Sequence, residues 1–132
     1  MKVFLAGTSD GSKWRDQLIP KLKIEFFNPV IENMDADDFE KVIHEREHCD
    51  YCLYVITPMM KNFFPIPEVV DDSNRRPDKT LYCYLSEDEG KAFTPHQIKS
   101  LQAVGKMINT NGGIWFKSFD DVVEFLNTKV SP

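Results

Sequence analysis

The stretch Lys2-Val3-Phe4-Leu5-Ala6-Gly7-Thr8-Ser9-Asp10-Gly11-Ser12 decides the fold. Five apolar or extended residues run up to a glycine, and a polar loop follows that leads into an amphipathic segment. This is a buried strand breaking at Gly7 and handing a hydroxyl-rich turn to a helix. Gly7 and Gly11 let the backbone turn sharply and approach a ligand closely. Thr8, Ser9 and Ser12 supply small donors and acceptors there, and Ser12 stands where a helix cap is expected.

Outward from this joint, apolar runs alternate with helical stretches. Strands are expected at Lys2–Ala6, Ile24–Phe27, Tyr51–Thr57, Thr80–Leu85 and Gly113–Phe116. Their β-branched and aromatic content, in short continuous runs, suits strands covered on both faces. Helices are expected at Ser12–Lys21, Asp35–Cys49, Pro65–Asn74, Thr94–Ile108 and Ser118–Thr128. Thr94 and Ser118 read as N-caps, and Pro95 takes the first helical position of its helix. Strict alternation implies right-handed crossovers and a parallel sheet. The expected fold is α/β, a flavodoxin-like three-layer sandwich with five strands in the order 2-1-3-4-5. The acidic segment Ser86-Glu87-Asp88-Glu89-Gly90 reads as a solvated surface loop.

The chain has 132 residues, 42% hydrophobic and 28% charged, with a net charge of −5. This suits one soluble domain over residues 1–132 with a core that needs no metal or disulfide. An acidic balance without a basic patch argues against nucleic acid as a partner. No apolar run approaches the ~20 residues of a membrane span, and Met1 opens directly into a strand. Cys49, Cys52 and Cys83 are an odd set and read as reduced core residues of a cytoplasmic protein. No cofactor or metal is expected.

In a 2-1-3 arrangement the ligand crevice lies beyond the carboxyl ends of the first and third strands. Three segments face it: Gly7–Trp14, Asn28–Pro29 and Thr57–Glu68. The last delivers Glu68 to the first turn of a helix, where the dipole favours an ionised carboxylate. Such a group beside an apolar wall suits a nucleophile or a stabiliser of an oxocarbenium ion.

The ordered set Phe4-Leu5-Ala6-Gly7-Thr8, Trp14-Arg15, Phe27-Asn28-Pro29, Asp50 and Glu68 resembles the nucleoside 2-deoxyribosyltransferase-like family, in particular its shorter, divergent members. The resemblance spans nearly the whole chain. It implies a small-molecule nucleoside or nucleotide as partner, and a homodimer or higher homo-oligomer whose chains complete each other's sites. It makes Glu68 the catalytic nucleophile. Gly7, Thr8 and Ser9 would approach the sugar or base, Trp14 would wall the base pocket, and Arg15 would orient a polar or anionic group. Asn28, Asn62 and Phe63 complete the expected substrate-binding set. The chain departs from the family at Asn62, which stands about where classical members carry an aspartate. An amide can hydrogen-bond a base but cannot protonate it. Phe63-Phe64-Pro65-Ile66-Pro67 likewise replaces the family's small residues ahead of the glutamate. A second reading is a non-catalytic nucleotide-sensing or interaction module on the same scaffold.

Overall fold

A computed structural model describes residues 1–130. Five strands form a wholly parallel sheet: β1 (Lys2–Gly7), β2 (Glu25–Phe27), β3 (Tyr51–Ile56), β4 (Thr80–Tyr84) and β7 (Ile114–Trp115). Their order is β2-β1-β3-β4-β7. Counting only these five, the order is the expected 2-1-3-4-5, and helices on both faces make the molecule a flavodoxin-like three-layer sandwich.

The period of two along each strand divides the core. Val3 and Leu5 of β1, Leu53 and Val55 of β3, and Leu81 and Cys83 of β4 point to one face. There they meet Trp14 and Leu18 of α1 (Trp14–Leu18) and Val122 and Leu126 of α5 (Phe119–Asn127). Phe4 and Ala6, then Cys52, Tyr54 and Ile56, then Tyr82 point to the other. That face is covered by Val69 of α3 (Pro65–Arg75) and by Leu101 and Ile108 of α4 (Pro95–Asn111). Each fully buried Leu, Val or Ile contributes about 1.5–3 kcal/mol relative to exposure.

Local chemistry sets the helix ends. Asp35 and Asp38 form a reciprocal capping box at the start of α2 (Ala36–His48), and Thr94 and Gln97 do the same for α4. Ser118 caps α5 through the N–H of Asp121 at 3.2 Å. Unlike the other long helices, α2 has no fully buried residue; it leans on the sheet through half-buried positions.

Two local expectations are corrected. The first helix begins at Trp14 rather than Ser12, and after Leu18 it tightens into a 3₁₀ turn over Ile19–Lys21, because Pro20 supplies no N–H. Ser12 does not cap it in the usual way. Its hydroxyl donates to Asp88 at 2.5 Å, with the N–H of Trp14 only 3.3 Å away. That bond explains the second correction. The acidic segment is no free loop but a hairpin, β5 (Glu87–Asp88) with β6 (Lys91–Ala92), turned by Glu89 and Gly90 at positive φ. Asp88 is 7% exposed, turned in toward Ser12. No helix among the described residues is long and apolar enough to cross a membrane.

Candidate active site at the carboxyl end of the sheet

The site begins with Gly7, which ends β1 at φ +103°. A Cβ there would stand 2.3 Å from the carbonyl oxygen of Val55, so only glycine lets β1 and β3 run this close. The next residue locks the two strands. The N–H of Thr8 donates to Val55 at 2.9 Å, and its hydroxyl accepts the N–H of Thr57 at 3.0 Å.

Arg15 and Trp14 brace the turn from below. The indole N–H of Trp14 and Nη1 of Arg15 both donate to the Thr8 carbonyl at 2.7 Å. Nε and Nη2 of Arg15 donate to the Leu5 carbonyl at 3.1 and 2.9 Å. This carbonyl lies past the last β1–β2 pair, Phe4 with Phe27, so β2 does not satisfy it. Arg15 is 6% exposed and makes no ion pair among the described residues, and burial pushes its pKa down to about 10.

Above this turn lies a cleft of about 370 Å³. Phe4 and Ala6 form its floor, and Gly7, Ser9 and Arg15 one wall. Pro29, Val30, Ile31 and Met34, from the segment after β2, form the second wall. The third comes from the segment after β3 and the start of α3, with Asn62, Phe64, Pro65 and Glu68, backed by Arg46 of α2. The crevice therefore sits at the switch between β1 and β3 that the topology requires.

Of the expected site residues, the cleft brings together Gly7, Ser9, Arg15, Asn62 and Glu68. The other four do not line it. Thr8 is buried beneath the turn as the clasp between β1 and β3. Trp14, expected to wall a base pocket, is fully buried in the core on the opposite face of the sheet. Asn28 turns its carbonyl back to the N–H of Val30 at 3.0 Å. Phe63 is 69% exposed and belongs to an apolar groove against α4, with Ile66, Phe93 and Leu101. Asn62 lines the cleft, but its Oδ1 accepts the N–H of Phe64 at 3.0 Å and so shapes its own loop. Asp50, part of the family-like pattern, accepts the N–H of Lys2 at 2.7 Å and pins the start of β1.

The surroundings of Glu68 were not anticipated from the sequence. Its Oε2 lies 3.0 Å from Nη1 of Arg46. Nη2 of Arg46 lies 2.7 Å from Oδ2 of Asp72 and 2.5 Å from the hydroxyl of Tyr54, which itself donates to Asp72. Arg76 holds the other Asp72 oxygen at 2.9 Å. Two cations thus face two carboxylates, and the cluster is neutral. Burial raises the Glu68 carboxyl above its ordinary range; the Arg46 charge opposes that shift and Asp72 adds to it. Burial likewise raises the Tyr54 phenol, which stays protonated as a donor. One signal for this network was present in the sequence. Glu68 and Asp72 are four apart on a helix, a like-charged pair on one face that calls for a cation between them.

Among the described residues no three His, Cys, Asp or Glu side chains are grouped to hold a metal ion. Compared with family models, curated proteins and solved structures, the chain matches none.

Proposed function

We propose that this protein cleaves or transfers at the N-glycosidic bond of a (deoxy)nucleoside or nucleotide, with Glu68 as the nucleophile. One observation carries the reading: the Glu68 carboxylate lines a cleft at the β1–β3 switch, half-buried beside the apolar side chains of Phe4, Ala6 and Phe64. Such a setting strengthens a carboxylate's interaction with positive charge developing at an anomeric carbon. In the first step a Glu68 oxygen bonds to that carbon as the bond to the base nitrogen breaks. The electron pair leaves with the base, which takes up a proton from solvent. Water or a second base then attacks the same carbon, the ester C–O bond breaks, and the carboxylate is restored. Water, or the attacking ring N–H of the second base, gives up its proton to solvent. Val30, Met34 and Phe64, exposed at the mouth, support closure of the cleft by a second copy of the chain.

The test is incubation with a panel of deoxynucleosides, their 5′-monophosphates and free bases, followed by chromatography for freed bases and new nucleosides. Turnover that disappears in Glu68→Gln supports the reading, and turnover retained in that variant overturns it.

A specific observation favours a non-catalytic binding module as the second reading. Among the described residues Glu68 is the one carboxylic acid lining the cleft, and Asn62 cannot protonate a departing base. Thermal stabilisation by the same panel without any turnover is the outcome that selects it.

A further inference from the structure

We infer that Arg46 is a positioning residue for Glu68, holding one carboxylate oxygen and leaving the other free for the cleft. The inference rests on the reading of Glu68 as a nucleophile and adds a residue that the family-like pattern did not contain.

The guanidinium is a rigid planar fork, and here its two ends do different work. Nη2 is fixed to the framework by Oδ2 of Asp72 at 2.7 Å and the Tyr54 hydroxyl at 2.5 Å. Both anchors are themselves buried and hydrogen-bonded. Tyr54 is fully buried in the core under α3, and Asp72 is 4% exposed and held by Arg76 from its other side. Arg76 also donates to the Arg46 carbonyl at 3.3 Å, so backbone and side chain are tied to one cluster. Nη1 then reaches Oε2 of Glu68 at 3.0 Å. Among the described residues no hydrogen bond or ion pair reaches Oε1.

Among the described residues the other cations near Glu68 already have partners of their own, Arg75 with Asp71 on the same helix. Arg76 is committed to Asp72, and Arg15, on the far wall, to the carbonyls of Leu5 and Thr8. The charges acting on Glu68 are Arg46 from α2 and Asp72 from α3. Arg46 in turn faces Tyr54 and the buried thiol of Cys52 on β3, and Glu47, Asp71, Arg75 and Arg76 line the cavity behind the pair. Without Arg46 the nucleophile would be left beside the like charge of Asp72 in a half-buried site. A carboxylate so placed takes up a proton and loses its ion pair. Arg46 and Glu68 also stand between the cleft and a second cavity of about 420 Å³ behind them, so the pair closes the back of the site.

The test uses the full chain with Arg46→Met, Arg46→Lys and Tyr54→Phe, and reads the Glu68 carboxyl directly by carbon NMR titration beside the pH–rate profile. Removal of the charge in Arg46→Met is expected to raise the Glu68 midpoint by at least about one pH unit, a tenfold change in the protonation constant. The acid limb of kcat/KM moves with it, and kcat falls by about tenfold or more while KM changes less. Arg46→Lys returns the charge but not the fork, so the midpoint recovers more than kcat does. Tyr54→Phe frees one anchor of the fork, and kcat falls with little movement of the midpoint; this variant keeps the inference falsifiable where Arg46→Met does not fold. An unmoved midpoint in folded Arg46→Met, or an unaltered kcat in Tyr54→Phe, overturns the inference. Absence of turnover in the wild-type protein defeats the nucleophile reading itself, and the NMR titration still decides whether Arg46 holds the carboxylate.

Discussion

Oδ2 of Asp10 accepts the backbone N–H of Lys61 at 2.9 Å, joining the loop after β1 to the loop after β3 across the mouth of the cleft. A second bond, from the N–H of Asn62 at 3.2 Å, makes the carboxylate a clamp between the two segments, beyond the Thr8–Thr57 bond at their base. The bonds to Lys61 and Asn62 hold the Asp10 carboxyl below its ordinary value of 3.8. A group with a depressed native pKa contributes stability above its unfolded pKa and loses it as pH falls through the native one. Asp10→Ala is expected to destabilise by about 1 kcal/mol at neutral pH, because the carboxylate is partly solvated. The difference from wild type should shrink as pH falls below the ordinary carboxylate value of 3.8 and through the lower native one. Asp10→Asn retains an acceptor and should recover part of the loss. Urea unfolding at several pH values measures both.

Gly7→Ala tests the close approach of β1 to β3. The added methyl would meet the Val55 carbonyl oxygen at 2.3 Å, in a backbone conformation of φ +103° that side chains rarely adopt. β1 and β3 are both central strands and cannot separate without breaking their shared ladder. The variant should lose at least about 3 kcal/mol or fail to fold. Gly90→Ala is the control, because its positive φ of +78° is combined with open space. It should lose about 1 kcal/mol, read from the same denaturation curves.

The sheet was legible because its residues carry one message at every level. Val3 to Ala6 and Cys52 to Ile56 are continuous apolar runs, and a strand buried on both faces needs no alternation to be recognised. Glu68 could be located for a similar reason, since its position follows from strand order and one crossover. Its partners could not be. Arg46 lies 22 residues earlier on α2, a helix with no fully buried position to mark which face turns inward. Trp14 was misplaced because an aromatic next to a glycine loop fits a core anchor and a pocket wall equally well in sequence. Its side faces the α5 core once the helix starts at Trp14, and the Glu87–Ala92 hairpin escaped notice because its fixing bond joins residues 76 positions apart.

Trp14 now gives a prediction opposite to that of a pocket wall. It is fully buried against Leu18 and Phe119, with its indole N–H on the Thr8 carbonyl. Trp14→Phe should cost about 1–3 kcal/mol, from the lost indole bond at a buried acceptor and the smaller ring. Ligand affinity should change only through looseness of the turn, so KM or a ligand dissociation constant stays within about threefold while the thermal midpoint falls by several degrees. A residue walling the cleft would show the reverse pattern. Calorimetry and ligand titration of the same variant distinguish the two.

The three thiols predict an alkaline weakness. Burial raises the Cys52 and Cys83 thiols to about 12 and Cys49 to about 11, against an ordinary value of 9.0. In the unfolded chain they ionise near the ordinary value, so between the two the native state binds more protons. Stability must therefore fall as pH rises through that window and is fully present only below it. From about pH 8 to about pH 10.5, Cys52 and Cys83 together should remove on the order of 4 kcal/mol of unfolding free energy. Replacing Cys83 with alanine trades that slope for a cavity: the variant is weaker at neutral pH and less sensitive to alkali. The same burial keeps the native thiols protonated and unreactive near pH 7. A thiol reagent should therefore label them at the rate of opening in native buffer and all three at once in urea, the count being read by mass spectrometry.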